Sequence, residues 1–145
     1  MKTKIFKIAC FLLMFFFVGV FKVNAASATI SVSSSSTKVV VGNTITVTVK
    51  IYSSSPLGSW NFDVVPSSNL TLTYSSFGGL YIVDSVSSST QKSATYTFKF
   101  KTKSSGTATV SIKNSLVYAY DESLMSKTNG STSITVITQA ELEAS

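Results

Sequence analysis

A strict alternation of side chains constrains the fold of this chain more than any other feature of its sequence. Over residues 44–51, isoleucine and valine occupy every second position, and threonine or lysine the positions between them. A period of two with β-branched residues predicts a strand that buries one of its faces. Residues 94–101 repeat the pattern, and there Tyr96, Phe98 and Phe100 are predicted to face the core.

Several further short segments are typical of strands and are separated by turns rich in serine, glycine and asparagine. They comprise residues 28–33, 39–41, 59–65, 70–74, 80–84, 107–113, 116–120 and 133–137. Because no amphipathic helix lies between them, the sequence predicts an all-β fold. We expect an antiparallel jelly-roll β-sandwich of about nine strands.

The phase of the aromatic residues predicts which rings are buried. Trp60 shares its phase with Phe62 and is predicted to lie in the core. Tyr118 and Tyr120 share the phase of Leu116, so they are not counted among the predicted surface rings.

Residues 1–25 have the layout of a secretory signal peptide. Three lysines in the first seven residues precede an uncharged run at 8–21, and Val23 and Ala25 occupy the −3 and −1 positions of a cleavage site. The run is shorter than the roughly 20 apolar residues of a membrane span. We therefore predict a signal-peptide helix that is cleaved after Ala25, and a secreted protein without membrane attachment after cleavage. A retained anchor is the alternative.

Cleavage divides the chain into a signal peptide (1–25), a sandwich domain (26–137) and a short tail or truncated linker (138–145). The tail favours helix but contains a single leucine to anchor it. Four of the 12 Lys and Arg residues lie in the signal, so the mature chain has eight basic residues against six acidic ones. Since its net charge is then +2 rather than +6, the charge does not favour a nucleic-acid partner.

The mature chain lacks the side chains of most catalytic and metal sites. It has no histidine, and Cys10, its one cysteine, belongs to the signal. A serine nucleophile would have no histidine base, and zinc or copper would lack preferred ligands. Asp63 and Asp84 are the alternative for a glycan-cleaving pair, and Asp121–Glu122 for calcium. We predict that the protein is not an enzyme and needs no metal or cofactor.

The order of several segments resembles cohesin-type domains from secreted surface proteins of Gram-positive bacteria. The resemblance rests on residues 31–33, 41–49, 57–64, 70–72, 96–101 and 105–112. It implies a nine-stranded sandwich that performs no chemistry and binds a dockerin-like or other surface protein. It also implies a secreted, extracellular protein of a Gram-positive bacterium, either free or associated with the cell surface.

The resemblance assigns partner binding to Ser59, Asn61 and Asp63. Cohesins carry an outward polar pair on the strand after the second one, and Ser59 and Asn61 match that pair, with Asp63 next on the same face. Cohesins usually follow this strand with a Tyr-Asp pair, which residues 65–70 of this chain lack.

A carbohydrate-binding module of the same superfamily is the alternative function. Tyr52, Tyr74 and Tyr81 are the predicted surface rings. If they lay coplanar on one face, a polysaccharide partner would be favoured, because aromatic rings stack on sugar faces.

Overall fold

The computed structural model describes residues 26–145, so the predicted signal peptide lies outside the described residues. Ten strands and one short helix follow each other in this part of the chain. The elements are β1 Ser27–Ser34, β2 Lys38–Val40, β3 Thr44–Ser53, β4 Leu57–Pro66, β5 Leu70–Ser75, β6 Tyr81–Ser85, β7 Ser93–Thr102, β8 Gly106–Ala119, β9 Ser126–Asn129, β10 Ser131–Ile137 and α1 Gln139–Ala144.

The strands form two sheets of five, which confirms the predicted all-β sandwich. The first sheet has the order β5-β7-β3-β1-β9, and the second has the order β2-β10-β8-β4-β6. Most neighbours are antiparallel, but β1 with β9 and β2 with β10 are parallel pairs. Near the start of the domain the chain passes from β1 in the first sheet to β2 in the second, and near its end it passes from β9 to β10 in the same way. Because these two crossings run side by side in the same direction, they produce the two parallel pairs.

Strand β9 has no counterpart among the predicted strands. Its four residues are polar and exposed, so no alternation marks them in the sequence. The strand exists because it pairs with β1. It ends at Asn129, and the N–H of the following Gly130 donates to the carbonyl of Ile30 at 2.8 Å. A Cβ at Gly130 would lie 2.8 Å from that carbonyl oxygen, so this crossing needs a glycine.

The inner faces of the two sheets form one hydrophobic core. Trp60 is 2 % exposed, and Phe62, Phe98 and Phe100 are fully buried, which confirms the predicted inward phase of β4 and β7. Burial of a side chain of this size stabilises the fold by about 1.5–3 kcal/mol relative to leaving it in water.

A chain of hydrogen bonds crosses this core between the sheets. The indole Nε1 of Trp60 donates to the hydroxyl of Tyr96 at 2.8 Å, and that hydroxyl donates to Oδ2 of Asp84 at 2.8 Å. The polar atoms of both buried rings are therefore satisfied. Burial, followed by the hydrogen bond to Asp84, raises the pKa of Tyr96 well above its ordinary value.

This raised pKa predicts a specific loss of stability at alkaline pH. Above about pH 10 the unfolded chain releases the Tyr96 proton while the folded protein retains it, so unfolding becomes easier as the pH rises. We expect the stability advantage of the native protein over Tyr96→Phe to shrink between about pH 9 and pH 11 in urea denaturation. Tyr81→Phe, which alters an exposed ring, is the control. An advantage that stays constant over this range would contradict the prediction.

The tail forms the short helix α1, as its composition favours. Thr138 caps it: its hydroxyl accepts from the N–H of Glu141 at 3.0 Å, while the Glu141 carboxylate accepts from the N–H of Thr138 at 2.7 Å. None of the helical residues is buried. Within residues 26–145, no helix has the length and apolar character that crossing a membrane requires.

Candidate functional site

Strand β4 presents the three predicted binding residues on the outer face of the second sheet. Trp60 and Phe62 point into the core, so the alternation directs Ser59, Asn61 and Asp63 outward. Ser59 is exposed, and Asn61 and Asp63 are partly exposed. The structure therefore brings these three side chains together in one row.

Edge strand β6 flanks this row with apolar side chains. Val83 lies opposite Asn61, and Tyr81 lies opposite Asp63. Val83 is 53 % exposed and Tyr81 is 60 % exposed. Because directly opposed residues of an antiparallel pair project to the same side, both belong to the same surface as the polar row.

Strand β8 flanks the row on its other side. Leu116 lies opposite Asn61, and Tyr118 lies opposite Ser59. An isolated bridge then pairs Tyr118 with Leu124, which extends the surface by one more exposed apolar side chain. Tyr118 itself is half-buried.

A β-bulge at Asn114 decides which residues of β8 reach this surface. Asn61 pairs with Leu116, and Asp63 pairs with Lys113. Strand β8 therefore has two residues between these pairs, where β4 has one. Asn114 takes up the extra residue with a φ of 53°, a conformation that asparagine tolerates better than most side chains. Its side-chain amide donates to Oδ2 of Asp63 at 2.8 Å.

Tyr118 and Tyr120 share the phase of Leu116 as predicted, but the bulge turns that phase outward. Their exclusion from the predicted surface rings was therefore wrong. Without an extra residue, Leu116 and both tyrosines would continue the inward phase of Ile112. With it, Val117 is buried instead, Leu116 is 38 % exposed and Tyr120 is 54 % exposed. The sequence signal for this change of phase is Asn114, a polar residue at a position where the alternation from Ile112 predicts a core residue.

The same bulge places a polar side chain in the core. Ser115 is 5 % exposed and donates its hydroxyl hydrogen to Oδ1 of Asn129 at 2.7 Å. Since a buried hydroxyl without a partner would be costly, this bond makes the inverted phase tolerable.

We call the outward surface of these three strands the β6–β4–β8 face. It has a polar centre, which is Ser59, Asn61 and Asp63. Its apolar surroundings are Val65, Tyr81, Val83, Leu116, Tyr118, Tyr120 and Leu124. Six of the ten large hydrophobic residues that are exposed in the described part of the chain lie here, so the exposed apolar surface is concentrated on one side.

An open depression of about 760 Å³ lies at one end of the β6–β4–β8 face. Gly58, Ser59, Val86, Tyr118 and Glu122 are among the residues that line it. It combines the aromatic side chain of Tyr118 with the carboxylate of Glu122.

The three tyrosines predicted to be surface rings do not share one surface. Tyr52 and Tyr74 lie on the first sheet, whereas Tyr81 lies on the second. On the first sheet, Tyr74 aligns with Thr46 of β3 rather than with Tyr52, so the two rings lie in different rows. The Lys50 ammonium lies 5.9 Å from the centre of the Tyr52 ring, and the Lys99 ammonium lies 5.8 Å from the centre of the Tyr74 ring. The coplanar arrangement that would favour a polysaccharide is therefore not formed by these rings.

The two candidate catalytic carboxylates lie on opposite faces of the second sheet. Asp63 lies on the outer face of the second sheet, while Asp84 turns inward to Tyr96. Asp121 accepts hydrogen bonds from the hydroxyl and N–H of Ser123, which lower the pKa of its carboxyl. In residues 26–145, no three His, Cys, Asp or Glu side chains are grouped closely enough to hold a metal ion.

The fold is of the cohesin type. A non-cellulosomal cohesin from the hyperthermophilic archaeon Archaeoglobus fulgidus is similar over 83 % of this chain and 96 % of its own, with a TM-score of 0.55 and 16 % identity. A type I cohesin from Clostridium thermocellum, solved in a cohesin–dockerin complex, is similar over 78 % of this chain and 95 % of its own, with a TM-score of 0.55 and 10 % identity. These likenesses confirm the predicted cohesin-type architecture.

The likeness extends beyond cohesins and is confined to structure. A CARDB domain from Pyrococcus furiosus, solved in complex with di-metal ions, is similar over 82 % of this chain and 100 % of its own, with a TM-score of 0.53 and 10 % identity. No family model matches the sequence, and no curated protein matches it. At identities of this size the shared feature is the fold, so function has to be argued from the site.

Proposed function

We propose that this protein is a secreted, non-catalytic module that binds a protein partner through the β6–β4–β8 face. The observation that carries the proposal is the composition of this face, in which exposed apolar side chains surround the polar row Ser59, Asn61 and Asp63. Tyrosine and other aromatic side chains are enriched in protein interfaces, where apolar contacts exclude water and polar groups fix the orientation of the partner.

The outer face of the first sheet supports the proposal by contrast. Its central strand β3 presents Thr46, Thr48 and Lys50 outward, and β7 presents threonines and lysines beside them. Such a face suits contact with water. The centre of this face therefore lacks the grouped apolar side chains of the β6–β4–β8 face, and its two exposed tyrosines, Tyr52 and Tyr74, lie in different rows.

A dockerin-like or other surface protein is the partner class that we propose. The Clostridium thermocellum cohesin of similar fold was solved in complex with a dockerin. In the present chain the polar row offers a hydroxyl, an amide and a carboxylate, which can accept and donate hydrogen bonds to a helical or extended segment. The proposal includes export by residues 1–25, a binding domain at 26–137 and a tail at 138–145.

Alanine substitution of the polar row tests the assignment. The purified protein, immobilised, is exposed to the secreted and wall proteins of its source, and captured proteins are identified and re-tested in purified form by calorimetry. We expect the triple variant Ser59→Ala, Asn61→Ala, Asp63→Ala to bind the purified partner at least tenfold more weakly, since loss of interfacial hydrogen bonds costs about 1–3 kcal/mol.

The matched control is Thr46→Ala, Thr48→Ala, Lys50→Ala on the other sheet, which is expected to bind like the native protein. Retention by insoluble polysaccharide alone, with no effect of the polar-row triple variant, would overturn the proposal. Hydrolysis of a glycan that disappears in Asp63→Ala would overturn its non-catalytic part.

A further inference from the structure

The edge strand β6 differs from the other three sheet edges in the described part of the chain. Strand β2 is three residues long and includes Lys38, and β9 is four residues long and includes Lys127. Strand β5 is interrupted by a bulge between Leu72 and Tyr74. Short length, lysine and bulges are three of the devices by which proteins prevent edge-to-edge pairing.

Strand β6 shows none of these devices. Its five residues pair with β4 without a register shift, and they include neither lysine nor proline. Its one charged side chain, Asp84, turns inward to Tyr96. The two exposed large side chains, Tyr81 and Val83, favour extended structure.

The backbone N–H and C=O groups of Tyr81 and Val83 point away from the sheet at its β6 edge. The carbonyl of Leu80 accepts from Val64 of β4 at 2.8 Å, and the N–H of Val86 donates to Gly58 of β4 at 3.0 Å. Backbone groups alternate in direction along an antiparallel strand. The N–H and C=O groups of Tyr81 and Val83 therefore point away from β4, toward the free edge of the sheet. Within residues 26–145, no turn, loop or side-chain hydrogen bond reaches these two backbones.

We propose that β6 pairs antiparallel with β6 of a second copy of this chain, about a two-fold axis beside Ile82. In this register Tyr81 lies opposite Val83 of the second copy, and Val83 lies opposite Tyr81. Each of these two residue pairs exchanges both N–H···O bonds, which uses the outward-facing groups of the strand. Ser85 is left out of the ladder, and its N–H is already bonded to its neighbour Asp84 at 2.8 Å.

Side-chain chemistry favours the second copy over a foreign strand. The axis creates two aromatic–β-branched cross-strand pairs, a favourable combination, and it brings no like charges opposite one another. An isologous contact needs a self-complementary surface, and Tyr81 with Val83 supplies one. The self-pairing does not depend on the proposed partner binding.

Pairing at this edge also has a consequence for the proposed function. A two-fold axis of an antiparallel pair runs perpendicular to the sheet, so the β6–β4–β8 faces of both copies lie on the same side. The dimer would then present two adjacent docking faces, and a partner with two linked binding segments would gain avidity.

Sedimentation equilibrium of the purified protein over a wide range of concentration tests the pairing. We expect the average mass to rise from one copy toward two. Val83→Lys is expected to weaken self-association by about tenfold or more, because edge lysines prevent strand pairing. Val65→Lys is the matched control, because Val65 is an exposed valine on the outer face of β4, which is an interior strand.

Val83→Pro tests the main chain directly. It removes an N–H that faces away from β4, so the fold is expected to survive while self-association is lost. Circular dichroism checks folding, and Val83→Lys remains decisive if the proline variant does not fold. A mass of one copy at every concentration would overturn the proposal, as would dimers that Val83→Lys leaves unchanged.

Discussion

Replacing Trp60 by alanine is expected to lower the free energy of unfolding by about 3–5 kcal/mol. The side chain is 2 % exposed, and its ring fills the core behind the polar row of β4. Its removal leaves a cavity and also takes away the Nε1 donor that binds the Tyr96 hydroxyl. Because a small domain has a total stability of about 5–15 kcal/mol, this loss is a large fraction of it.

Urea denaturation followed by circular dichroism measures this effect. Fluorescence is unsuitable because Trp60 is the only tryptophan of the chain. Tyr52→Ala is the control, since that ring is half exposed, and we expect its effect to stay within about 0.5 kcal/mol. A Trp60→Ala variant as stable as the native protein would show that the ring does not pack in the core as described.

Substitution of Gly58 by alanine is expected to destabilise the protein by about 1–3 kcal/mol or more. A Cβ at this position would overlap the carbonyl oxygen of Ala119 and lie 2.8 Å from its carbonyl carbon. Both atoms belong to the main chain of β8, so a side-chain rotation cannot relieve the contact. The strands have to separate where the register between Leu57 and Ser59 already shifts.

Gly79→Ala is the matched control for Gly58→Ala. A Cβ at Gly79 would meet no atom within 4 Å, and its φ lies outside the left-handed region. This variant is expected to be neutral or to stabilise the protein by up to about 1 kcal/mol through the unfolded state. Thermal and urea unfolding of both variants give the comparison, and equal stability of the two would contradict the close approach at Gly58.

The two predictions concern the support of the proposed docking face. Trp60 packs beneath it, and Gly58 allows β4 and β8 to approach at the end where Ser59 and Tyr118 lie opposite each other. We therefore expect Gly58→Ala to weaken partner binding as well, whereas Gly79→Ala should not. The face depends on the spacing of its strands as much as on its own side chains.

Much of the fold was predictable because strand periodicity is a local property. The alternation in β3, β4 and β7 indicated which residues face inward, and Trp60, Phe62 and Phe98 are buried as predicted. The outward position of Ser59, Asn61 and Asp63 followed from the same alternation. A role for these three in binding stays a prediction.

The neighbours of the polar row were not predictable in the same way. Tyr81 and Val83 flank it because β6 pairs with β4, and Leu116 flanks it because β8 lies on the other side. Tyr81 was expected to be exposed, but its sheet and its neighbours depend on strand order. Strand order is set by contacts between residues far apart in sequence.

Local periodicity was sufficient to define the main strands, most of the core and the polar row on β4, since a backbone period of two leaves each side chain only two directions. The tertiary structure decided three other features: β9, the phase of β8 and the composition of the docking face. Strand β9 has no hydrophobic pattern and forms through its pairing with β1. One extra residue at Asn114 turns the following part of β8 over, because a shift of one residue exchanges the two faces of a strand.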